Sequence, residues 1–209
     1  MSDRDEVDEE EEEIKVILVG EMGTGKTSLI NTAIGLQFQE KLASTTTNSI
    51  MNKIVKINGK TYSINLWDTI GQEKYRSLTK IFMKGAKIVI FVYDITNLES
   101  FNELSYWFES AKDIINEQTV MGIVGNKSDL FLKEEVKESD ARQLAKEKGY
   151  EFALTSAKNA TMFCEFLEKL IKKYLGEEID DDEDENNNDK KKSGKLKVGK
   201  NTKLKKNCC

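Results

Sequence analysis

The chain has 209 residues, 38% apolar and 33% charged, enough for one well-buried domain with segments left over at its ends. Its net charge of -5 originates in two acidic blocks, nine of the first thirteen residues and the stretch from Glu177 to Asp189; the part between them is mildly basic, so the net charge says nothing about nucleic-acid binding by that part, for which no nucleic-acid partner is expected. Histidine is absent, which excludes imidazole as a general base or metal ligand and leaves the chemistry to carboxylates, amides, hydroxyls, lysine or a bound metal.

KVILVG, Lys15 to Gly20, reads as a buried strand that runs into GEMGTGKTS, Gly20 to Ser28. The second stretch fits G-x-x-x-x-G-K-[ST], in which backbone amides around Gly23 and Gly25 cradle phosphates. Lys26 would neutralise the terminal phosphate oxygens, and the Thr27 hydroxyl would ligate Mg²⁺. A helical pattern follows. Met22 is a long side chain in the mouth of this loop. In IVKINGKTYSINLWD, Asn58-Gly59 marks a tight turn and Tyr62, Ile64 and Leu66 alternate with polar residues, so an antiparallel hairpin is expected. Its second strand ends in WDTIGQE, where Asp68 is placed to hold magnesium through water. Gly71 offers an unhindered amide to a terminal phosphate, and Gln72 could orient water.

KIVIFVYD, Lys87 to Asp94, is a further apolar strand. Thr96-x-x-Glu99 reads as a capping box opening a helix that runs to about Asn116. VMGIVGNKSD is the next strand and ends in Asn126-Lys127-Ser128-Asp129; YEFAL is a short strand before TSAK, Thr155 to Lys158. A carboxylate that accepts from a ring N–H and an exocyclic amino group selects guanine over adenine, and Asp129 fits that role. Phe163, Phe166, Leu167, Leu170, Ile171 and Tyr174 form one face of a last helix and are read as core. Strands alternating with helices predict an α/β fold.

These four motifs, in this order and spacing, resemble those of Ras-superfamily small GTPases, most closely the Rab branch, over about Ile14 to Leu175. YRSL, MKGA (Met83 to Ala86), VYDITNLESF and the final Cys-Cys are Rab-like in wording. The resemblance implies a P-loop GTPase domain over 14–176, a mixed, mostly parallel six-stranded sheet with helices on both faces. It implies that GTP or GDP is held by Gly23, Gly25, Lys26, Thr27, Ser28, Asp68 and Gly71, with Asn126, Lys127 and Asp129 reading guanine beside Ser156, Ala157 and Lys158. Phe38, twelve residues after Lys26, stands where the family stacks a ring on the base. Thr45, nineteen after Lys26, stands where the family's switch I threonine binds Mg²⁺; with Thr46 and Thr47 adjacent the choice depends on register, and counting back from Trp67 also selects Thr45. Thr27, Thr45 and Asp68 would form the metal set, and Gln72, Lys26 and Thr45 the catalytic one. Hydrolysis of GTP by an in-line water is implied, with a transition-state arginine supplied by a partner.

Both ends, 1–13 and 177–209, have no hydrophobic pattern and are expected to be disordered. No apolar run is long enough to span a membrane, the acidic start is unlike a signal peptide, and the cysteines give no disulfide framework, so a reducing compartment is expected. Cys208-Cys209 match the double-cysteine ending that Rab proteins geranylgeranylate, behind nine lysines from Lys190 to Lys206. The resemblance therefore implies the cytoplasmic face of an intracellular membrane, cycling with the cytosol, in vesicle trafficking. Its expected partners are an exchange factor, an activating protein, effectors and a prenyl-binding escort. The chain departs from the family at Met22, where a small residue is usual, at Ile70 where alanine is usual, and at Thr47 and Ile50 where glycine and an aromatic are usual; Met22 and Ile70 are both expected near where the attacking water and a partner's arginine must fit. Rival readings are a hydrolysis-poor GTP-binding membrane scaffold, another Ras-superfamily signalling GTPase, and a small-nucleotide kinase, which lacks here the arginine-rich lid it would need.

Overall fold

The computed structural model describes residues 12–71 and 76–177. Residues 1–11, Gln72 with its three successors, and 178–209 with Cys208 and Cys209 lie outside it, and so does the lipidation site; of the two ends expected to be disordered only Glu12, Glu13 and Glu177 are described, and Glu12 and Glu13 belong to the first strand. Among the described residues β1 (Glu12–Val19), β2 (Ser49–Ile57), β3 (Lys60–Asp68), β4 (Ile88–Asp94), β5 (Val120–Asn126) and β6 (Glu151–Leu154) form one sheet in the order β2-β3-β1-β4-β5-β6. The β2–β3 pair is antiparallel and the other pairs are parallel. The helices are α1 (Lys26–Ala33), α2 (Arg76–Met83), α3 (Leu98–Asn102), α4 (Leu104–Lys112), α5 (Glu138–Lys148) and α6 (Ala160–Tyr174).

The central strands are apolar throughout because both of their faces are covered. Alternate residues take opposite sides. Val16 and Leu18 of β1 and Ile90 and Val92 of β4 pack with Leu29 and Ile30 of α1 and Phe163, Leu167 and Ile171 of α6. Ile17, Val19, Val89, Phe91 and Tyr93 pack on the other side with Met83 of α2, Leu104 and Trp107 of α4, and Ala141 and Ala145 of α5. The helical stripe of α6 is thus core, as its spacing predicts.

Asn58 (φ 49) and Gly59 (φ 84) are both left-handed, the turn that a tight right-twisted hairpin requires, and Ile57 pairs with Lys60 directly across it. Asn58 Nδ2 also donates to Glu177 Oε2 at 2.8 Å, tying the turn to the residue beyond α6.

Two local expectations are corrected. β1 begins at Glu12, not at the apolar run: Glu12 and Glu13 pair with Tyr62 and Ser63, since β3 is long enough to offer two more rungs. Their carboxylates meet Lys60 at 3.4 Å and the Asn65 amide at 3.2 Å. The helix after β4 is capped by Asn97, whose Oδ1 accepts from the Ser100 N–H at 3.0 Å, and not by Thr96. The Thr96 hydroxyl is instead drawn to Asp94 Oδ1 at 2.8 Å. The helix also divides at Glu103 and ends at Lys112, short of Asn116.

Parallel strands end on the same edge, so Val19, Asp68, Asp94, Asn126 and Leu154 deliver their following loops to one place, where open α/β sheets bind ligands.

Candidate nucleotide site

The loop from Gly20 to Gly25 leads from β1 into α1. Gly25 is the residue before the helix, at φ 92, and a Cβ there would meet Asn126 Nδ2 at 2.4 Å. That close approach is used: Asn126, at the end of β5, donates from Nδ2 to Thr24 O at 2.8 Å and fastens the NKSD turn to the phosphate loop. At the loop's other side Glu21 Oε1 accepts from Trp107 Nε1 of α4 at 3.2 Å.

A cleft of about 370 Å³ opens over this loop. It brings together Gly23, Gly25, Lys26, Thr27, Ser28, Phe38, Thr45, Gly71, Asn126, Lys127, Asp129, Ser156, Ala157 and Lys158, which is every site residue read from the sequence within the described chain except Asp68. Asp68 lies behind Thr27. Its Oδ2 accepts from Thr27 Oγ1 at 2.7 Å, and Thr27 Oγ1 is 2.7 Å from Thr45 Oγ1. Gln72 falls outside the described residues. Met22 borders the cleft and is 56% exposed, whereas Ile70, expected near the attacking water, is buried and does not line it. The Ile70 N–H donates to Asn48 Oδ1 at 2.9 Å, which holds this segment against the start of β2.

The electrostatics separate the cleft into two ends. Burial lowers the Lys26 ammonium to about 8, against the opposing charges of Asp68 and Glu21. Its Nζ donates to the carbonyls of Gly20 and Glu21, both at 2.9 Å, so the cation is held under the loop. Burial raises Asp68, opposed by the Thr27 hydrogen bond and the Lys26 charge. Its Oδ1 is buried with no hydrogen-bond partner among the described residues. A buried carboxylate oxygen without a donor, grouped with two hydroxyls, is an all-oxygen set that suits Mg²⁺. The residues present therefore fit the ion.

At the other end Asp129 Oδ1 accepts from Ser156 Oγ at 2.6 Å and Oδ2 pairs with Lys158 Nζ at 2.8 Å. Burial alone would raise this carboxyl, but those hydrogen bonds and the Lys158 charge prevail and hold it below its ordinary value. It stays an acceptor. Phe38 stands opposite, its ring centroid 5.8 Å from the Lys158 ammonium.

Three contacts of this site escape motif reading. The Trp107–Glu21 and Asn48–Ile70 bonds have no sequence signal. Asp94, which pairs with Lys127, carries one: it is an acidic residue ending a strand that neighbours NKSD.

The Ras family model matches residues 15–176. The chain is 35% identical over 168 residues to Ras-related protein Rab5A of Oryza sativa, covering 80% of this chain and 83% of that one. It is 38% identical to Ras-related protein Rab5 of Nicotiana tabacum, over 76% of this chain and 80% of that one. To Ras-related protein SEC4 of Saccharomyces cerevisiae it is 33% identical, over 94% of this chain and 91% of that one. The chain belongs to the Ras family of small GTPases and is Rab-like within it.

Proposed function

We propose that this chain binds GTP and GDP with Mg²⁺, hydrolyses GTP slowly, and acts as a membrane-anchored switch in vesicle trafficking. The observation that carries the reading is the single cleft in which the phosphate loop, Thr45, Gly71, NKSD and TSAK converge. Asp129 presents two carboxylate oxygens to the guanine edge, oriented by Ser156 and Lys158. Lys26 places a cation beneath the phosphates. Thr27, Thr45 and Asp68 would hold Mg²⁺, which when bound supplies charge neutralisation to the phosphates. Gln72 orients a water for in-line attack on the terminal phosphorus; the bond to the β-phosphate oxygen breaks, and GDP and inorganic phosphate leave. Loss of that phosphate frees Thr45 and Gly71, and the segments carrying them relax. Exchange factor, activating protein, effectors and an escort for lipid attached at Cys208 and Cys209 are the partners this cycle requires.

Met22 sets the rate in this reading. Its exposed side chain stands over the end of the cleft where the terminal phosphate, the water and a partner's arginine must meet. Single-turnover hydrolysis of GTP bound to the purified chain tests it. The expected result is slow conversion in the wild type, accelerated at least about threefold by Met22→Ser and abolished by Gln72→Leu. A chain that holds GTP but hydrolyses at the same negligible rate in all three forms is instead the GTP-binding scaffold, a reading that Met22 also favours.

A further inference from the structure

We propose that Asp94, the last residue of β4, is a positioning residue for nucleotide retention that acts through Lys127. The inference rests on the guanine-nucleotide reading of the cleft and adds to it a group that does not line the cleft itself.

Asp94 is in register with Asn126 across the parallel β4–β5 pair, so its carboxylate stands beside the turn that carries Lys127. Its Oδ2 is 2.6 Å from Lys127 Nζ. Its Oδ1 accepts from both the Thr96 N–H at 2.9 Å and the Thr96 hydroxyl at 2.8 Å, and its own N–H donates to Ser100 Oγ at 3.0 Å. Asp94 is 7% exposed, its main chain is held by Ser100, and its carboxylate is anchored at Oδ1 by Thr96 before Oδ2 meets the lysine. Exposed ion pairs are weak because two long side chains must be ordered at once. Here one partner is ordered already.

Lys127 lines the cleft from a backbone at φ 65, a left-handed conformation unfavourable to any residue with a Cβ. The turn is held in it by Ser128 N–H to Thr155 O at 3.0 Å and Leu130 N–H to Lys127 O at 2.8 Å. Its flexible four-carbon stem would otherwise sample many rotamers. Asp94 selects the one that lies along the cleft wall, and the turn between β4 and α3 thereby becomes part of what retains the nucleotide.

The test is the release of a fluorescent GDP analogue from the full chain, chased with excess GDP. Asp94→Asn keeps an oxygen for the Thr96 donors and removes the charge; release is expected to be about tenfold faster. In a Lys127→Met background the same substitution is expected to change release by less than about twofold, because its effect passes through the lysine. Thr96→Val, which keeps the backbone bond and the ion pair, is expected to leave release within about twofold of wild type. Equal acceleration by Asp94→Asn in both backgrounds, equal acceleration by Thr96→Val, or no acceleration at all would overturn the proposal. Failure of the wild type to retain the analogue is a different result, and overturns the nucleotide reading itself.

Discussion

Gly71→Ala isolates the contact between the segment after β3 and the phosphate loop. A Cβ at this position would lie 2.6 Å from Lys26 Nζ, 2.6 Å from Met22 N and 2.7 Å from Glu21 C. The lysine end can move. The other two atoms are backbone of a loop fastened by Asn126 and Trp107, so the segment carrying residue 71 must itself withdraw by about 1 Å to reach ordinary contact. In the proposed GTP complex that withdrawal would take the residue 71 N–H away from the terminal phosphate, and it strains the Ile70–Asn48 bond. A hydrogen bond to a charged acceptor contributes about 1.5–3 kcal/mol, which corresponds to roughly a ten- to hundredfold loss of GTP affinity. GDP lacks that phosphate, and its affinity should stay within about threefold. Displacement of a fluorescent GDP analogue by a non-hydrolysable GTP analogue and by GDP, in wild type and variant, measures the ratio. An unchanged GTP-to-GDP ratio, or equal weakening of both, refutes the reasoning.

Tyr93 is fully buried between β5 and α3, and its hydroxyl has no hydrogen-bond partner among the described residues. Tyr93→Phe keeps the edge contact with Phe101, whose ring lies 5.0 Å away, and should raise stability by about 1 kcal/mol; a lower urea midpoint would contradict this. Glu151 accepts hydrogen bonds from Lys169 and Lys173, which outweigh the effect of burial and hold it below its ordinary value near 4.5. Its folded form is the more acidic, so its contribution is present above that value and lost as pH falls below it. Glu151→Gln should therefore lower the urea midpoint at neutral pH, by about 0.5–1 kcal/mol after solvent screening, and the difference from wild type should shrink steadily as pH is lowered below 4.5 and through the depressed folded value; a difference that stays constant with pH would refute the assignment.

Contiguous motifs were the legible part of this site. The places of Lys26, Thr27 and Asp129 in one cleft follow from the two motifs that carry them, each directly after a strand. Thr45 was legible only through its spacing within the family resemblance, since three threonines stand in a row and it is the fold that sets Thr45 against Thr27. The β2–β3 turn and the α6 stripe were legible because their periods are local. Asp94 with Lys127, and Glu21 with Trp107, were not, because parallel strands pair across long crossovers and no local pattern states their register. Thr96 misled for a related reason: both it and Asn97 are good caps, and a carboxylate two residues earlier decides between them. Ile70 looked like an obstacle in the cleft by its neighbours in sequence, yet its amide is captured by Asn48 and its side chain is buried.

The chain holds two tryptophans, and each reports on a different wall of the cleft. Trp107 donates to Glu21 of the phosphate loop, while Trp67 precedes Asp68 and lies under the Lys15 ammonium, 4.0 Å from its ring centroid. Intrinsic emission is therefore a label already built into the molecule. A nucleotide exchange that moves the loop would quench or brighten the first indole through its carboxylate, and one that moves the strand end would act on the second. Trp67→Phe divides the two signals, so the order in which the two walls respond becomes readable by stopped-flow without an added label.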